Sequence, residues 1–280
     1  MMGLSRRVFM DASLSAATAS VMAVTNVAEA SAKKPQKWDK TVNVVIIGSG
    51  DAGLATAVSA AERGVKDILV LEKLAFLGGN TAIATGAFNT ADPKQKEQGI
   101  EDSPELHAQQ TLKGGDFRGN PDLVNTLTHN SYDTLKWLES KGVKFQPKIL
   151  QVYGALWPRS HATAASKGSD YIRVLSEEAK KLGVMIQTQA KVVDIIRENQ
   201  LSGRVLGVEY VNKDGQHVFV RALKAVVACP GGFAANREMR SMHDPRLYNL
   251  TTTNNPAAST GEVLVMMQDI GADVTGMDHI

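Results

Sequence analysis

The chain has very little cysteine, and its single residue, Cys229, excludes an internal disulfide framework and a cysteine-rich metal site. No C-x-x-C-H sequence occurs, so no c-type haem is attached to this chain, and we predict no metal site. A long basic block is also missing, since 31 basic and 29 acidic residues leave a net charge of +2. Nucleic acid and a membrane surface are therefore not expected as partners.

The chain also lacks internal repeats and low-complexity tracts. What it does have is length and apolar content: 280 residues, of which 43% are hydrophobic. This is enough for one large or two ordinary globular domains with a substantial core.

Residues 1–30 have the pattern of a twin-arginine signal peptide. Arg6 and Arg7 precede a weakly apolar stretch, Ala12–Val27, and small residues flank a cleavage point at 28–30. The apolar part is too short and too polar for a stable membrane span. We therefore expect export to the periplasm, with residues 31–42 as a linker.

The next segment carries a dinucleotide-binding fingerprint: a strand, a G-x-G-x-x-G turn, a helix, and an acid about twenty residues further on. The apolar run 43–47 leads into Gly48, Gly50 and Gly53, and Glu72 closes the next apolar run. The first glycine permits the tight turn, the second lets backbone approach a pyrophosphate, and the third lets the helix pack close to the strand. The helix N-terminus attracts phosphates, and the acid can accept hydrogen bonds from a ribose.

Periodicity and turn residues predict the remaining elements. Helices are predicted over 103–114, 120–142, 170–182 and 260–270. Strands are predicted over 184–188, 192–196, 205–211, 218–220 and 223–229, the last running into Pro230-Gly231-Gly232. Ligands of open α/β sheets collect at the carboxyl edge where such a glycine pair lies.

Three histidines, Trp137 and Cys229 have no clear functional context in the sequence. His107, His129 and His217 lie in helix or hairpin contexts and are predicted on the surface, whereas Trp137 and Cys229 are predicted to pack.

Several motifs occur in order and at suitable spacing. They are G-S-G-D-A-G at 48–53, L-E-K at 71–73, G-G-N-T at 78–81, S-P-E-L at 103–106, K-G-G at 113–115, P-G-G-F at 230–233 and T-N-N-P at 253–256. From Val44 to Ile280 the chain thereby resembles the flavoprotein subunit of fumarate reductases, particularly the soluble periplasmic flavocytochrome c type and its urocanate and methacrylate reductase relatives.

The resemblance implies FAD as the cofactor and assigns cofactor contacts by position. The matching residues are Gly48, Gly50, Ala52, Gly53, Glu72, Lys73, Gly79, Asn80, Thr81, Thr85, Gly86, Val192, Gly231, Gly232 and Glu262. One departure affects this set, because relatives usually read A-T-G-G-F where this chain has Pro230 before the glycine pair, and proline has no N–H to donate.

The resemblance also implies the architecture: an α/β, Rossmann-like FAD-binding domain over 43–273, with a parallel sheet and a small antiparallel insertion. Residues 274–280 would begin a capping domain that in the family carries a substrate-binding His and a proton-donating Arg. Both would lie beyond Ile280, so no catalytic residue is expected within 1–280, and His279 is not assigned that role. On this view the chain is truncated or an amino-terminal piece, which we expect to bind FAD weakly or not at all and to be inactive alone. His161, in an R-x-H sequence that relatives share, is a candidate for the active-site mouth.

The activity implied for the complete protein is reduction of the C=C bond of a small unsaturated carboxylate by hydride transfer from flavin N5. Electrons would come from a separate cytochrome c-type donor. Two alternatives stay open: another FAD enzyme of the same fold, such as a urocanate or methacrylate reductase or a ketosteroid dehydrogenase, or a non-catalytic flavin-binding electron-transfer subunit.

Overall fold

The computed structural model describes residues 35–252 and 257–277. The predicted signal peptide, the T-N-N-P segment and His279 lie outside these residues, and the predicted capping segment is described only to residue 277.

The described residues form eight strands and seven α-helices. The strands are β1 Lys40–Ile47, β2 Ile68–Leu71, β3 Ala87–Asn89, β4 Ser160–Ala162, β5 Met185–Gln187, β6 Lys191–Asn199, β7 Ser202–Val211 and β8 His217–Ala228. The helices are α1 Asp51–Glu62, α2 Gly79–Ile83, α3 Pro104–Gly114, α4 Pro121–Lys141, α5 Ser169–Lys181, α6 Arg237–His243 and α7 Glu262–Asp269, with 3₁₀ turns at Pro93–Gln98 and Pro245–Leu247.

Six strands form one sheet in the order β5-β2-β1-β8-β7-β6. The pairs β5–β2, β2–β1 and β1–β8 are parallel, while β8–β7 and β7–β6 are antiparallel. Strands β3 and β4 form a separate two-stranded antiparallel sheet. The α/β fold with a parallel sheet and a small antiparallel insertion is thus confirmed.

The central strand β1 is buried on both faces, as parallel strands covered by helices are. Val44 and Ile46 point into a cluster with α1 and α5, whereas Val45 and Ile47 point into a second cluster with β6, β7 and α7. This alternation follows from the two-residue period of a strand. The two clusters hold the helices on opposite faces and leave the carboxyl ends of β1, β2 and β8 together at one edge.

Several predicted helix ends are confirmed by their caps. The Ser103 hydroxyl accepts a hydrogen bond from Leu106 N at 3.1 Å, and Asn120 Oδ1 accepts one from Asp122 N at 2.9 Å. Gly142 ends α4 with φ of 104°.

Other local predictions differ from the structure. The predicted strands 218–220 and 223–229 are one continuous strand, β8, because β7 and β1 pair with it on opposite sides. Strand β1 begins at Lys40, inside the predicted linker. Across residues 35–252 and 257–277, no helix combines the length and the apolar character needed to cross a membrane.

Candidate functional site

A cavity of about 450 Å³ opens at the carboxyl ends of β1, β2 and β8, where Ile47, Leu71 and Ala228 line it. Most of the predicted cofactor residues also line it: Gly48, Gly50, Ala52, Glu72, Lys73, Gly79, Asn80, Thr81, Val192, Gly231 and Glu262. The fold therefore gathers segments that are far apart in the sequence at the sheet edge where ligands of such folds bind.

The three glycines of the turn differ in the space that an added Cβ would find. A Cβ at Gly48 would lie 2.2 Å from the carbonyl oxygen of Cys229, and Gly48 has φ of 100°. A Cβ at Gly53 would lie 2.0 Å from the carbonyl oxygen of Gly48. At Gly50 the nearest atom to such a Cβ is Thr81 Oγ1, at 3.6 Å. Two of the glycines are needed for packing, and the third leaves open space against the cavity for a ligand's diphosphate.

The start of α1 supplies backbone N–H groups beside this space. Its N-cap residue, Gly50, has no side chain to cap the helix. Asp51 N donates to Thr81 Oγ1 at 3.3 Å, and Ala52 N donates to the carboxylate of Asp51 at 2.8 Å. The helix dipole therefore favours an anion here, whereas the Asp51 carboxylate in the first turn opposes one.

Glu72 is buried, 6% exposed, at the end of β2. Its Oε2 accepts hydrogen bonds from Ser49 N at 3.0 Å and from the Ser49 hydroxyl at 2.6 Å, and its Oε1 accepts one from Leu74 N at 2.8 Å. A carboxylate has about four acceptor positions, so acceptor capacity remains for a ribose hydroxyl.

Ser49 is a site residue that the sequence did not reveal. It is fully buried and lines the cavity, and its hydroxyl also accepts a hydrogen bond from Gly78 N at 3.2 Å. Ser49 therefore links the glycine turn, the Glu72 carboxylate and the loop at Gly78. The one sequence feature that could have indicated this role is a small hydroxyl residue between Gly48 and Gly50.

A charged cluster forms the part of the cavity wall where α7 begins. Glu262 lies 3.3 Å from Lys73 Nζ and 3.2 Å from Lys191 Nζ, and the Thr260 hydroxyl donates to it as well. Burial alone would raise the pKa of Glu262, but the hydrogen bonds from Thr260 and the backbone, together with both lysines, lower it to about 2. Glu262 therefore stays ionised and links α7 to β2 and β6.

Four predicted cofactor residues are not among those lining the cavity: Gly53, Thr85, Gly86 and Gly232. Gly53 packs α1 against β1, and Thr85 and Gly232 are exposed. Gly86 packs against Lys167, and its carbonyl accepts a hydrogen bond from the Tyr171 hydroxyl at 2.9 Å. A direct contact to the cofactor remains a prediction for these four.

Cys229 lines the cavity and is half-buried. Its N–H donates to the carbonyl oxygen of Ile47 at 2.8 Å, and burial raises the pKa of its thiol. The side chain packs at the strand end, as predicted.

The histidines divide into exposed and buried ones. His129 and His217 are exposed, as predicted, and lie beside Glu105 and Glu209. The surface prediction for His107 is wrong, because the packing of α3 leaves it 6% exposed, and burial lowers its pKa.

His161 does not line the cavity and lies in a buried polar network. Its Nε2 is 3.2 Å from an Asp92 carboxylate oxygen. Nearby, Arg159 donates to both oxygens of Asp102, at 3.0 and 2.8 Å. A role for His161 at the active-site mouth remains a prediction.

Comparison with known proteins identifies the family of the chain. Residues 43–280 match the model of the FAD binding domain family. The chain is 33% identical to the acrylate reductase flavoprotein subunit of Shewanella woodyi, over 99% of this chain and 56% of that protein.

Two solved structures share the fold. One is a 3-ketosteroid-Δ4-(5α)-dehydrogenase from Rhodococcus jostii RHA1, with a TM-score of 0.80 and 29% identity over 88% of this chain and 57% of that chain. The other is the open conformation of a flavocytochrome c3 fumarate reductase, with a TM-score of 0.78 and 30% identity over 84% of this chain and 41% of that chain. The chain thus spans about half the length of the proteins it matches.

Proposed function

The chain belongs to the FAD binding domain family, and from this premise we propose that its cavity binds the adenosine diphosphate half of FAD. One observation carries the proposal: the glycine turn and Glu72 meet in a single cavity at the carboxyl edge of the sheet. The open space at Gly50 suits a diphosphate, and the carboxylate held by Ser49 suits a ribose. The residues present therefore fit this cofactor. Because all residues that line the cavity lie between Ile47 and Val263, we expect the 280-residue chain to bind FAD, in place of the weak or absent binding that the resemblance implies for an amino-terminal piece.

The flavin, when bound, supplies hydride-transfer chemistry. The chain's own residues bind and orient its nucleotide. Ser49 holds the Glu72 carboxylate in the cavity wall, and the N-terminal end of α1, whose helix dipole favours an anion, lies beside the space for the diphosphate. Lys73 and Lys191 keep Glu262 ionised in the cavity wall.

For the whole protein we propose an oxidoreductase that reduces the C=C bond of a small unsaturated carboxylate. The acrylate reductase subunit and the fumarate reductase structure among its relatives support this substrate class. We further propose a periplasmic location, from the twin-arginine pattern of residues 1–30, and a separate cytochrome c-type protein as the electron donor.

The test is a substrate panel assayed with the native protein and a reduced viologen dye as donor. Fumarate, acrylate, methacrylate and urocanate are supplied separately, and dye oxidation is compared with the amount of saturated product. We expect stoichiometric product with at least one of these acids. Dye oxidation with none of them contradicts the proposed reaction.

A second candidate, a dehydrogenase of 3-ketosteroids, is favoured by the Rhodococcus structure. Its discriminating result is oxidation or reduction of a 3-ketosteroid with no turnover of the four acids. A third outcome, a bound flavin that is reduced and reoxidised without any substrate conversion, supports a non-catalytic electron-transfer subunit.

A further inference from the structure

Arg240 is a buried guanidinium, 4% exposed, on the short helix α6. Its Nε donates to Leu247 O at 2.8 Å and its Nη1 to Ala234 O at 2.7 Å. Its Nη2 donates to the carbonyl oxygens of Tyr248, at 3.4 Å, and Leu250. All of these acceptors are main-chain carbonyl dipoles rather than a carboxylate.

The four acceptors belong to two different stretches of chain. Ala234 precedes α6, whereas residues 247–250 follow it. A guanidinium presents five N–H donors in a fixed planar fork, which can serve both stretches at once. Arg240 therefore fastens together the two ends of the loop that contains α6.

The stretch before α6 supports the cavity wall. Ala235 N donates to Ser259 O at 2.9 Å, and Asn236 Nδ2 donates to Thr260 O at 3.0 Å. A Cβ added at Gly261 would lie 2.7 Å from the sulfur of Met239, so α6 is also in close contact with the start of α7.

The backbone held in this way carries groups that face the cavity. Ser259 and Gly261 line it, as does Glu262 directly after them. The Ser259 hydroxyl accepts a hydrogen bond from Asn80 Nδ2 at 2.6 Å, and Lys73 Nζ donates to the Thr260 hydroxyl. The position of residues 259–261 thus affects two predicted cofactor residues on the opposite loops.

We propose that Arg240 is a positioning residue for FAD: it fixes residues 234–236, and through them the cavity wall at 259–262, without touching the cofactor. This rests on the proposed function of the cavity. The role assigned to Arg240 is geometric, so its charge alone is not sufficient.

The test compares Arg240→Met and Arg240→Lys with a matched control, Arg246→Met, in the 280-residue chain. Arg246 lies six residues further on, is 88% exposed and pairs with Asp244 in its own turn. Hydrogen–deuterium exchange of the apoprotein is measured over 234–236 and 257–263, and the FAD dissociation constant is measured by fluorescence titration below the melting temperature of each variant.

We expect Arg240→Met to raise exchange over 257–263 and to weaken FAD binding roughly tenfold, equivalent to about 1.4 kcal/mol. Arg240→Lys should show the same effects, because an ammonium has three donors on one nitrogen and does not reproduce the planar five-donor fork that serves both stretches. The control should match the parent chain in both measurements. If Arg240→Met does not fold, Arg240→Lys is judged by the same criteria.

Exchange over 257–263 that is unchanged in the folded Arg240 variant overturns the proposal, whether or not FAD binds. Increased exchange with unchanged FAD affinity overturns the link to the cofactor. A parent chain that binds no FAD contradicts the proposed function itself, while the exchange data still decide whether Arg240 holds the wall.

Discussion

At the scale of single residues, Asp51 is the group in the glycine turn that works against the proposed ligand. It lies in the first turn of α1, where a carboxylate stabilises the helix but repels a diphosphate. Its Oδ1 accepts hydrogen bonds from Ala52 N and from the Thr81 hydroxyl, and an amide oxygen can accept both.

Asp51→Asn should therefore tighten FAD binding roughly two- to fivefold, since a charge beside a helix terminus contributes about 0.3–1 kcal/mol. Titrations at low and high salt measure this, and the gain should shrink as salt screens the charge. Asp122→Asn, in the first turn of α4, is the matched control and should leave the affinity unchanged. Weaker binding by Asp51→Asn at every salt concentration contradicts this placement of the diphosphate.

Gly53 offers a second test at the same scale. Gly53→Ala places a methyl group 2.0 Å from the Gly48 carbonyl oxygen, so α1 must move away from β1. We expect a loss of about 1–3 kcal/mol in the free energy of unfolding, the usual cost of overpacking, together with weaker FAD binding. Denaturant unfolding and FAD titration measure the two effects.

The control for Gly53 is Gly114→Ala at the end of α3, where nothing lies within 4 Å of the added carbon. Alanine is the better helix former, so this change should be neutral or stabilise by up to about 1 kcal/mol. Equal stabilities of the two variants would show that Gly53 is not in close contact with the turn.

At the scale of elements, Glu262 connects α7 to the ends of β2 and the start of β6. Its pKa in the folded protein is lowered from 4.5 to about 2. A depressed folded-state pKa means that the unfolded chain takes up the proton first as the pH falls. The stability from Glu262 is therefore fully present above pH 4.5 and is lost as the pH falls towards 2.

We expect Glu262→Gln to be less stable than the parent chain at neutral pH and the two stabilities to converge between pH 4.5 and pH 2. Unfolding free energies measured across that range test this. Glu177→Gln removes an exposed pair with Arg173 and serves as control, because such surface pairs contribute little at any pH. A stability difference that stays constant down to pH 2 argues against the Lys73 and Lys191 contacts.

The elements also show why some features follow from the sequence and others do not. The caps at Ser103 and Asn120 are local, because each side chain bonds backbone only two or three residues away, so α3 and α4 could be predicted. Strands β3 and β4 are three residues long and pair across about 70 residues of chain. The resemblance implied a small antiparallel insertion, but periodicity predicted neither the positions of these strands nor α6.

The buried polar network could not be predicted either, because its contacts join residues that are far apart in the sequence. Arg159 and Asp102 are 57 residues apart in the sequence, and neither position carries a local pattern that identifies the other. The helix context of His107 predicts a surface position, whereas its burial depends on packing with other segments. The glycine turn and Glu72 could be predicted because their spacing is itself the signal. The role of Ser49 could not be predicted, because its hydrogen bond from Gly78 N exists only once the loop at Gly78 is folded against the turn.

At the scale of the whole molecule, the proposed FAD site depends on one edge of the sheet. Strands β1, β2 and β8 end there, and β8 reaches it from 181 positions further along the chain, where the Cys229 carbonyl meets Gly48. Strands β7 and β6 extend the same sheet beyond β8, and the cavity lies at the carboxyl ends of β1, β2 and β8. Identifying the ligand that binds in this cavity therefore tests the proposed function.

The most direct measurement is calorimetric titration of the 280-residue chain with FAD, ADP and FMN. The account predicts that FAD and ADP bind one shared site and compete, and that Glu72→Gln weakens both, because both carry the ribose and diphosphate. FMN, which lacks the adenosine half, should neither bind there nor displace ADP. Binding of FMN at this site, or bound FAD that excess ADP cannot displace, would contradict the account.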